Sequence, residues 1–119
     1  MNILLTGATG HLGSHITEHA IKEQIPNFHI GIRNPDKVPN HWHDHIKIHE
    51  LDYFNEESMV KAFENIDTVV FIPSIIHPSF KRLPEVENLV SAAQKAKVQH
   101  IMFIGYYADQ HNNLSLIHI

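Results

Sequence analysis

The 119-residue sequence has no cysteine, so disulfides, thiolate metal ligands and cysteine nucleophiles are excluded. Basic residues are few. Nine lysines and arginines against thirteen acidic residues give a net charge of −4, and no stretch of the chain is basic. That balance offers a nucleic acid little to hold, and none is expected as a partner. No apolar run approaches the roughly 18 residues of a membrane span. The first residues read as a strand, without a basic leader or a cleavage site. The expectation is a cytoplasmic protein with no membrane partner. Glycine is scarce at five residues, yet three of them, Gly7, Gly10 and Gly13, fall together. The remainder, 43% hydrophobic and 18% charged, suits one globular domain with a modest core.

Those three glycines stand in the most informative stretch, Asn2-Ile3-Leu4-Leu5-Thr6-Gly7-Ala8-Thr9-Gly10-His11-Leu12-Gly13. A short apolar run ends in the glycines, and a helical pattern starts at once. A strand feeding a tight turn and a helix N-terminus is a way to hold a dinucleotide pyrophosphate. In that reading Gly7 takes the tight turn and Gly10 lets the backbone approach the phosphates. Gly13 lets helix and strand pack closely. The free N–H groups and positive dipole end of the helix favour the anion. The competing reading is a glycine-rich turn that holds no ligand.

The rest of the chain alternates between strand and helix signals. Strands are expected at residues 2–6, 28–32, 46–51, 68–72 and 100–104. The first helix is expected over residues 11–24, with Leu12, Ile16 and Ala20 inward, broken by Pro26-Asn27. Asn34-Pro35-Asp36 is a turn signal, and residues 39–45 read as an irregular connection with at most a helical turn. Asn55 reads as the N-cap of a helix carrying Met59, Val60 and Phe63 as its apolar stripe. Thr68 to Ile72 is a continuous apolar run of the kind buried on both faces of a sheet. A proline-marked loop over 73–82 leads to a helix with Pro84 in its first turn and Val86, Leu89, Val90 and Ala93 inward. This alternation predicts an α/β fold: a Rossmann-type, doubly wound parallel sheet of about five strands in the order 3-2-1-4-5. Ligands of such sheets bind beyond the carboxyl ends of the strands, where the loops at 7–13, 33–37 and 73–77 converge.

The exit of the second strand carries another cofactor signal. A cofactor with a free ribose 2′-hydroxyl usually meets an acidic residue there. This chain instead has Arg33, whose guanidinium suits the 2′-phosphate of NADP(H), with Lys37 adding charge nearby. Asp36 is expected to point away or to cap the turn. NADP(H) is therefore expected in preference to NAD(H), against the alternative of a solvated surface arginine. Asp52 and Tyr53 leave the third strand beside the expected adenine position, where Asp52 can accept a hydrogen bond from the exocyclic amine. Its alternative is an ordinary turn residue. Ile72, Pro73 and Ser74 end the fourth strand, where backbone is expected to line the ribose and nicotinamide.

The set Thr6-Gly7-Ala8-Thr9-Gly10-His11-Leu12-Gly13, Gly31-Ile32-Arg33-Asn34-Pro35-x-Lys37 and Asp52-Tyr53 resembles the NmrA-like, atypical short-chain dehydrogenase/reductase family. The run from Val86 to Ala96, followed by Val98-Gln99-His100-Ile101, resembles the same family's fourth helix and fifth strand. The resemblance covers residues 1 to about 113. It implies cofactor contacts from Thr6, Gly7, Ala8, Thr9, Gly10, His11, Leu12 and Gly13, with Arg33 and Asn34 at the 2′-phosphate end. It also implies a small-molecule substrate, with reduction of quinones or other carbonyl compounds. A non-catalytic regulator that senses NADP(H) and binds a protein partner is the alternative within the family. An extended-type sugar-nucleotide epimerase shares the first glycine motif. Short-chain dehydrogenases place a serine after the fifth strand and then a Tyr-x-x-x-Lys pair. Here Gly105-Tyr106-Tyr107-Ala108-Asp109 supplies no serine, and neither tyrosine has a lysine four residues on. No catalytic residue is assigned.

The family pattern continues past residue 119. Residues 1–113 are expected to be an incomplete nucleotide-binding domain, inactive alone. Residues 114–119 are expected to be a non-native or disordered tail, leaving the fifth strand as an exposed edge. The twelve histidines invite a metal reading at His11, His15 and His19, or at His41, His43 and His45. Polar surface is the expectation in both places, and no metal is assigned.

Overall fold

The computed structural model describes residues 1–72, 82–104 and 114–118. Strands β1 (Ile3–Thr6), β2 (Phe28–Ile32), β3 (Lys47–Glu50), β4 (Thr68–Phe71), β5 (His100–Ile104) and β6 (Leu114–His118) form one sheet in the order β3-β2-β1-β4-β5-β6. The first five are parallel in the order expected from the sequence. This is the Rossmann-type arrangement, with the chain reversing its direction of growth between β1 and β4.

Side chains alternate across each strand, so one strand feeds two cores. Leu4 of β1 joins Met59 and Phe63 of α3 (Glu56–Ala62, with its C-cap), Val69, Phe71, Leu89 of α4 (Arg82–Lys95) and Ile101. Leu5 faces the other way, into Ile30, Ile32, Trp42 and Ile72, with Leu12 and Ile16 of α1 (His11–Lys22) packed alongside. The central strands are thus covered on both sides, as their continuous apolar runs require.

Several local details depart from the sequence reading. Helix α1 stops at Lys22, before the expected break at Pro26. Gln24 adopts φ +53°, and Ile25 N–H reaches back to Ala20 O at 3.0 Å. The same left-handed closure ends α4 at Lys97 (φ +63°), with Val98 N–H on Ala93 O at 2.9 Å. Gly13, Thr17 and Ala20 are the buried residues of α1, while Leu12 and Ile16 are half-buried. Thr17 tolerates burial because its hydroxyl donates to Gly13 O at 2.8 Å. Residues 39–45, by contrast, hold the helical turn that the sequence allowed, α2 (Asn40–His43), which drives Trp42 into the second core. The edge of β5 also differs from expectation. Leu114–His118 pairs with it antiparallel, from His100↔His118 to Ile104↔Leu114, so backbone groups that a disordered tail would leave open are engaged.

Candidate functional site

The carboxyl ends of β1, β2, β3 and β4 lie on one edge of the sheet, and the loops leaving them carry the residues singled out above. The β1–α1 loop is built around its glycines. Gly7 has φ +70°, and a Cβ there would lie 3.0 Å from Ile72 O. Gly10 N–H closes the turn onto Gly7 O at 3.1 Å. At Gly13 a Cβ would fall 2.0 Å from Gly7 O and 2.9 Å from Ala8 Cα, so helix and loop touch through bare backbone. Gly10 is different. It is exposed, and a Cβ there would meet only Gly7 O, at 3.4 Å. No side chain caps the start of α1, and its first turn holds no acidic residue. The result is a shallow, uncharged backbone cradle at the positive end of a helix dipole, which fits a pyrophosphate.

The side chains around this cradle divide by exposure. Thr9 and His11 stand on the outer surface of the loop. Thr6 and Ala8 are fully buried and give the loop its shape. Leu12 packs into the second core, and Ile72 lies buried beneath Gly7. Arg33 and Asn34 are exposed at the exit of β2, followed by a 3-10 turn over Pro35–Lys37 in which Lys37 N–H donates to Asn34 O at 3.0 Å. Lys37 is exposed as well. Pro73 and Ser74 lie outside the described residues, as do Tyr106 and Tyr107.

The exit of β3 is a tightly held turn. Asp52 Oδ1 accepts the Phe54 N–H at 2.9 Å, and Asp52 O accepts the Asn55 N–H at 3.0 Å. Ser58 Oγ accepts the Asp52 N–H at 3.0 Å and donates to Asn55 O at 2.8 Å. Asn55 Oδ1 caps α3 on the Ser58 N–H at 3.2 Å, as its sequence position predicts. Tyr53 turns inward. Its ring packs edge-on against Phe71, with centroids 5.5 Å apart. Burial pushes its phenol up to about 12, opposed in part by a hydrogen bond with Thr6. Its carbonyl accepts from Asn88 Nδ2 at 2.9 Å. The tyrosine ring thus packs partly buried against the first core, with its hydroxyl beside Thr6 at the carboxyl end of β1. Sequence reasoning missed the next residue, Phe54, which is 61% exposed on this turn. The only signal for it was a large apolar residue directly after Asp52-Tyr53.

The histidine-rich segments are organised in other ways. His11 and His15 pack edge-to-face at 5.0 Å. The Glu18 carboxylate takes His41 Nε2 at 2.9 Å and the Trp42 indole N–H at 2.9 Å, and these hydrogen bonds hold it below the usual carboxylate range. Among the described residues, no three histidine, aspartate or glutamate side chains form a group able to hold a metal ion. None of the helices in the described residues is long and apolar enough to cross a membrane. A groove of about 1030 Å³ lies at the opposite, amino-terminal edge of the sheet, lined by His29, His49, Lys47, Lys61 and Glu64 among others. It is remote from the glycine loop.

Comparison with known proteins places this edge in context. A family model described as NAD(P)H-binding matches residues 7–116. The chain is 33% identical over 109 residues to an NmrA-like family domain-containing oxidoreductase of Aspergillus flavus, covering 87% of this chain and 34% of that protein. It is 30% identical over 115 residues to quinone oxidoreductase 2 of Escherichia coli, covering 95% of this chain and 38% of that protein. The chain thus spans little more than a third of the length of these curated relatives. Among solved structures, a nucleoside-diphosphate-sugar epimerase from Staphylococcus aureus is similar with TM-score 0.85 and 69% identity, over 95% of this chain and 40% of that one. The NADPH complex of an Escherichia coli NADPH-dependent quinone oxidoreductase is similar with TM-score 0.73 and 28% identity, over 86% of this chain and 36% of that one.

Proposed function

The chain belongs to the NAD(P)H-binding family, and we propose that it is the NADP(H)-binding domain of an NmrA-like reductase acting on quinones or other carbonyl compounds. The observation that carries this reading is the open, uncharged cradle of Gly7, Gly10 and Gly13, with exposed Arg33 at the next strand end. The backbone of residues 7–13 would hold the pyrophosphate. Arg33, with Asn34 and Lys37, would take the ribose 2′-phosphate through charge-assisted hydrogen bonds. Asp52 keeps a second carboxylate oxygen for the adenine amine, its first being engaged by Phe54 N–H. Ile72 closes the floor beneath Gly7. When bound, the cofactor supplies the hydride, and the chain's part is to bind and orient it.

Isothermal titration of this chain with NADPH and NADH tests the reading. NADPH should bind more tightly. Arg33→Ala should weaken NADPH by about tenfold or more, the worth of a lost charge-assisted bond, and leave NADH nearly unchanged. Equal loss for both cofactors would overturn the 2′-phosphate assignment. The 69% identity to the Staphylococcus aureus protein supports a second reading, a nucleoside-diphosphate-sugar epimerase. In a protein of the relatives' length, the first reading expects NADPH consumption with a quinone. The second expects conversion of a sugar nucleotide without net consumption of cofactor.

A further inference from the structure

The Asp52–Asn55 turn does more than end a strand. Hydrogen bonds from Asp52 and Ser58 fix it, and Asn88 anchors the Tyr53 carbonyl. This rigid frame holds a phenyl ring in water, with Phe54 61% exposed. Its neighbour Tyr53 packs half-buried against Phe71, so the two adjacent rings of this turn are treated differently. An exposed ring on a fixed backbone suits a flat partner, because little conformational freedom remains to be lost on contact.

The register shows what lies beside it. Strands β2 and β3 are parallel, with Ile32 opposite Glu50 and Leu51 N–H on Ile32 O at 2.9 Å. Arg33 and the Asp52–Phe54 turn therefore leave adjacent strands at the same edge. We propose that Phe54 is an adenine-stacking residue, presenting its ring to the purine face while Asp52 addresses the purine edge. This inference rests on the cofactor site proposed above and adds a contact to it. Stacking of this kind does not distinguish NADPH from NADH, because both carry the same adenine.

The test uses 2′,5′-ADP, which keeps the adenine and the 2′-phosphate and lacks the nicotinamide. Wild type should bind it. Phe54→Ala should weaken 2′,5′-ADP, NADPH and NADH by a common factor of about fivefold or more, the scale of one aromatic–base stack. Its melting temperature should stay near wild type, because the ring is exposed. Phe54→Trp should restore affinity, and its added fluorescence should be quenched by 2′,5′-ADP, measured against wild type to subtract Trp42. Unchanged affinity in Phe54→Ala, with wild type binding normally, would overturn the stacking role and leave the cofactor site standing. Failure of wild type to bind 2′,5′-ADP, NADPH and NADH would overturn both.

Discussion

Gly10 and Gly13 lie three residues apart at the start of α1, yet a methyl group would meet very different surroundings at each. At Gly13 it would meet backbone atoms at 2.0, 2.8 and 2.9 Å, which cannot move without opening the β1–α1 junction. Gly13→Ala should therefore cost about 3 kcal/mol or more of stability, at the upper end of overpacking, visible as a lowered thermal midpoint without any ligand. At Gly10 the backbone is in a region open to any residue (φ −73°), and the nearest atom is 3.4 Å away. Gly10→Ala should leave stability within about 1 kcal/mol of wild type and weaken NADPH about tenfold by obstructing the phosphate approach. The glycine spacing suggested both roles in the sequence. The structure adds how sharply the two differ, with a Cβ 2.0 Å from backbone at Gly13 and 3.4 Å at Gly10. Tyr53 and Phe54 show the limit of such reading. Alternation of one residue decides which ring is buried, and a strand exit breaks that alternation at the position where it matters.

At the scale of elements, the expected parallel sheet order emerges because apolar strand runs, continuous in β4, alternate along the chain with helical stripes. Helix α2 escaped that logic. It has four residues, too few to show a period, and Trp42 alone carries it into the core. The histidine contact across β2 and β3 was also not read from the sequence. His29 and His49 meet with Nδ1 and Nε2 3.0 Å apart, ring centroids 5.2 Å apart and planes 20° from parallel. That geometry sets the rings nearly end to end around one shared N–H. Burial lowers the pKa of both imidazoles, and the Lys47 ammonium lowers both further, with His49 adding to the effect on His29. Lys61 and Glu64 of the α3 end, and His43, Asp44 and His45 ahead of β3, line the same groove. The folded pair resists protons that the unfolded chain accepts, so its stabilising effect is full above the ordinary histidine value. It is lost as pH falls through that value toward the lowered folded pKa. Between about pH 7.5 and about pH 5 the melting temperature should drop less steeply in His29→Phe than in wild type. Equal slopes would show that the pair contributes nothing to the pH dependence.

For the whole molecule, two cores of unequal size share one sheet, and the sheet's outermost strand on one side is the antiparallel β6. Ending the chain after Ile104 should uncover the backbone of β5 that β6 now pairs, an apolar edge prone to pairing with other chains. The expected result is a shift to larger species in size-exclusion chromatography with light scattering, against wild type at equal concentration. An unchanged elution profile would mean that β6 does not protect that edge.

Strand β1 sits in the middle of the sheet, with β2 on one side and β4 on the other. Its residues nonetheless leave the ribosome before those of either neighbouring strand. Leu4 can meet His29 early, but its other neighbour, Val69, is sixty-five residues further along the chain. Until that stretch has been made, the middle strand is open along one flank, and nascent chains must carry it in that state. Long-range closure of this kind is slower than pairing between segments close in sequence. The interval is also when a chaperone that grips short apolar segments would find residues 3–6 within reach.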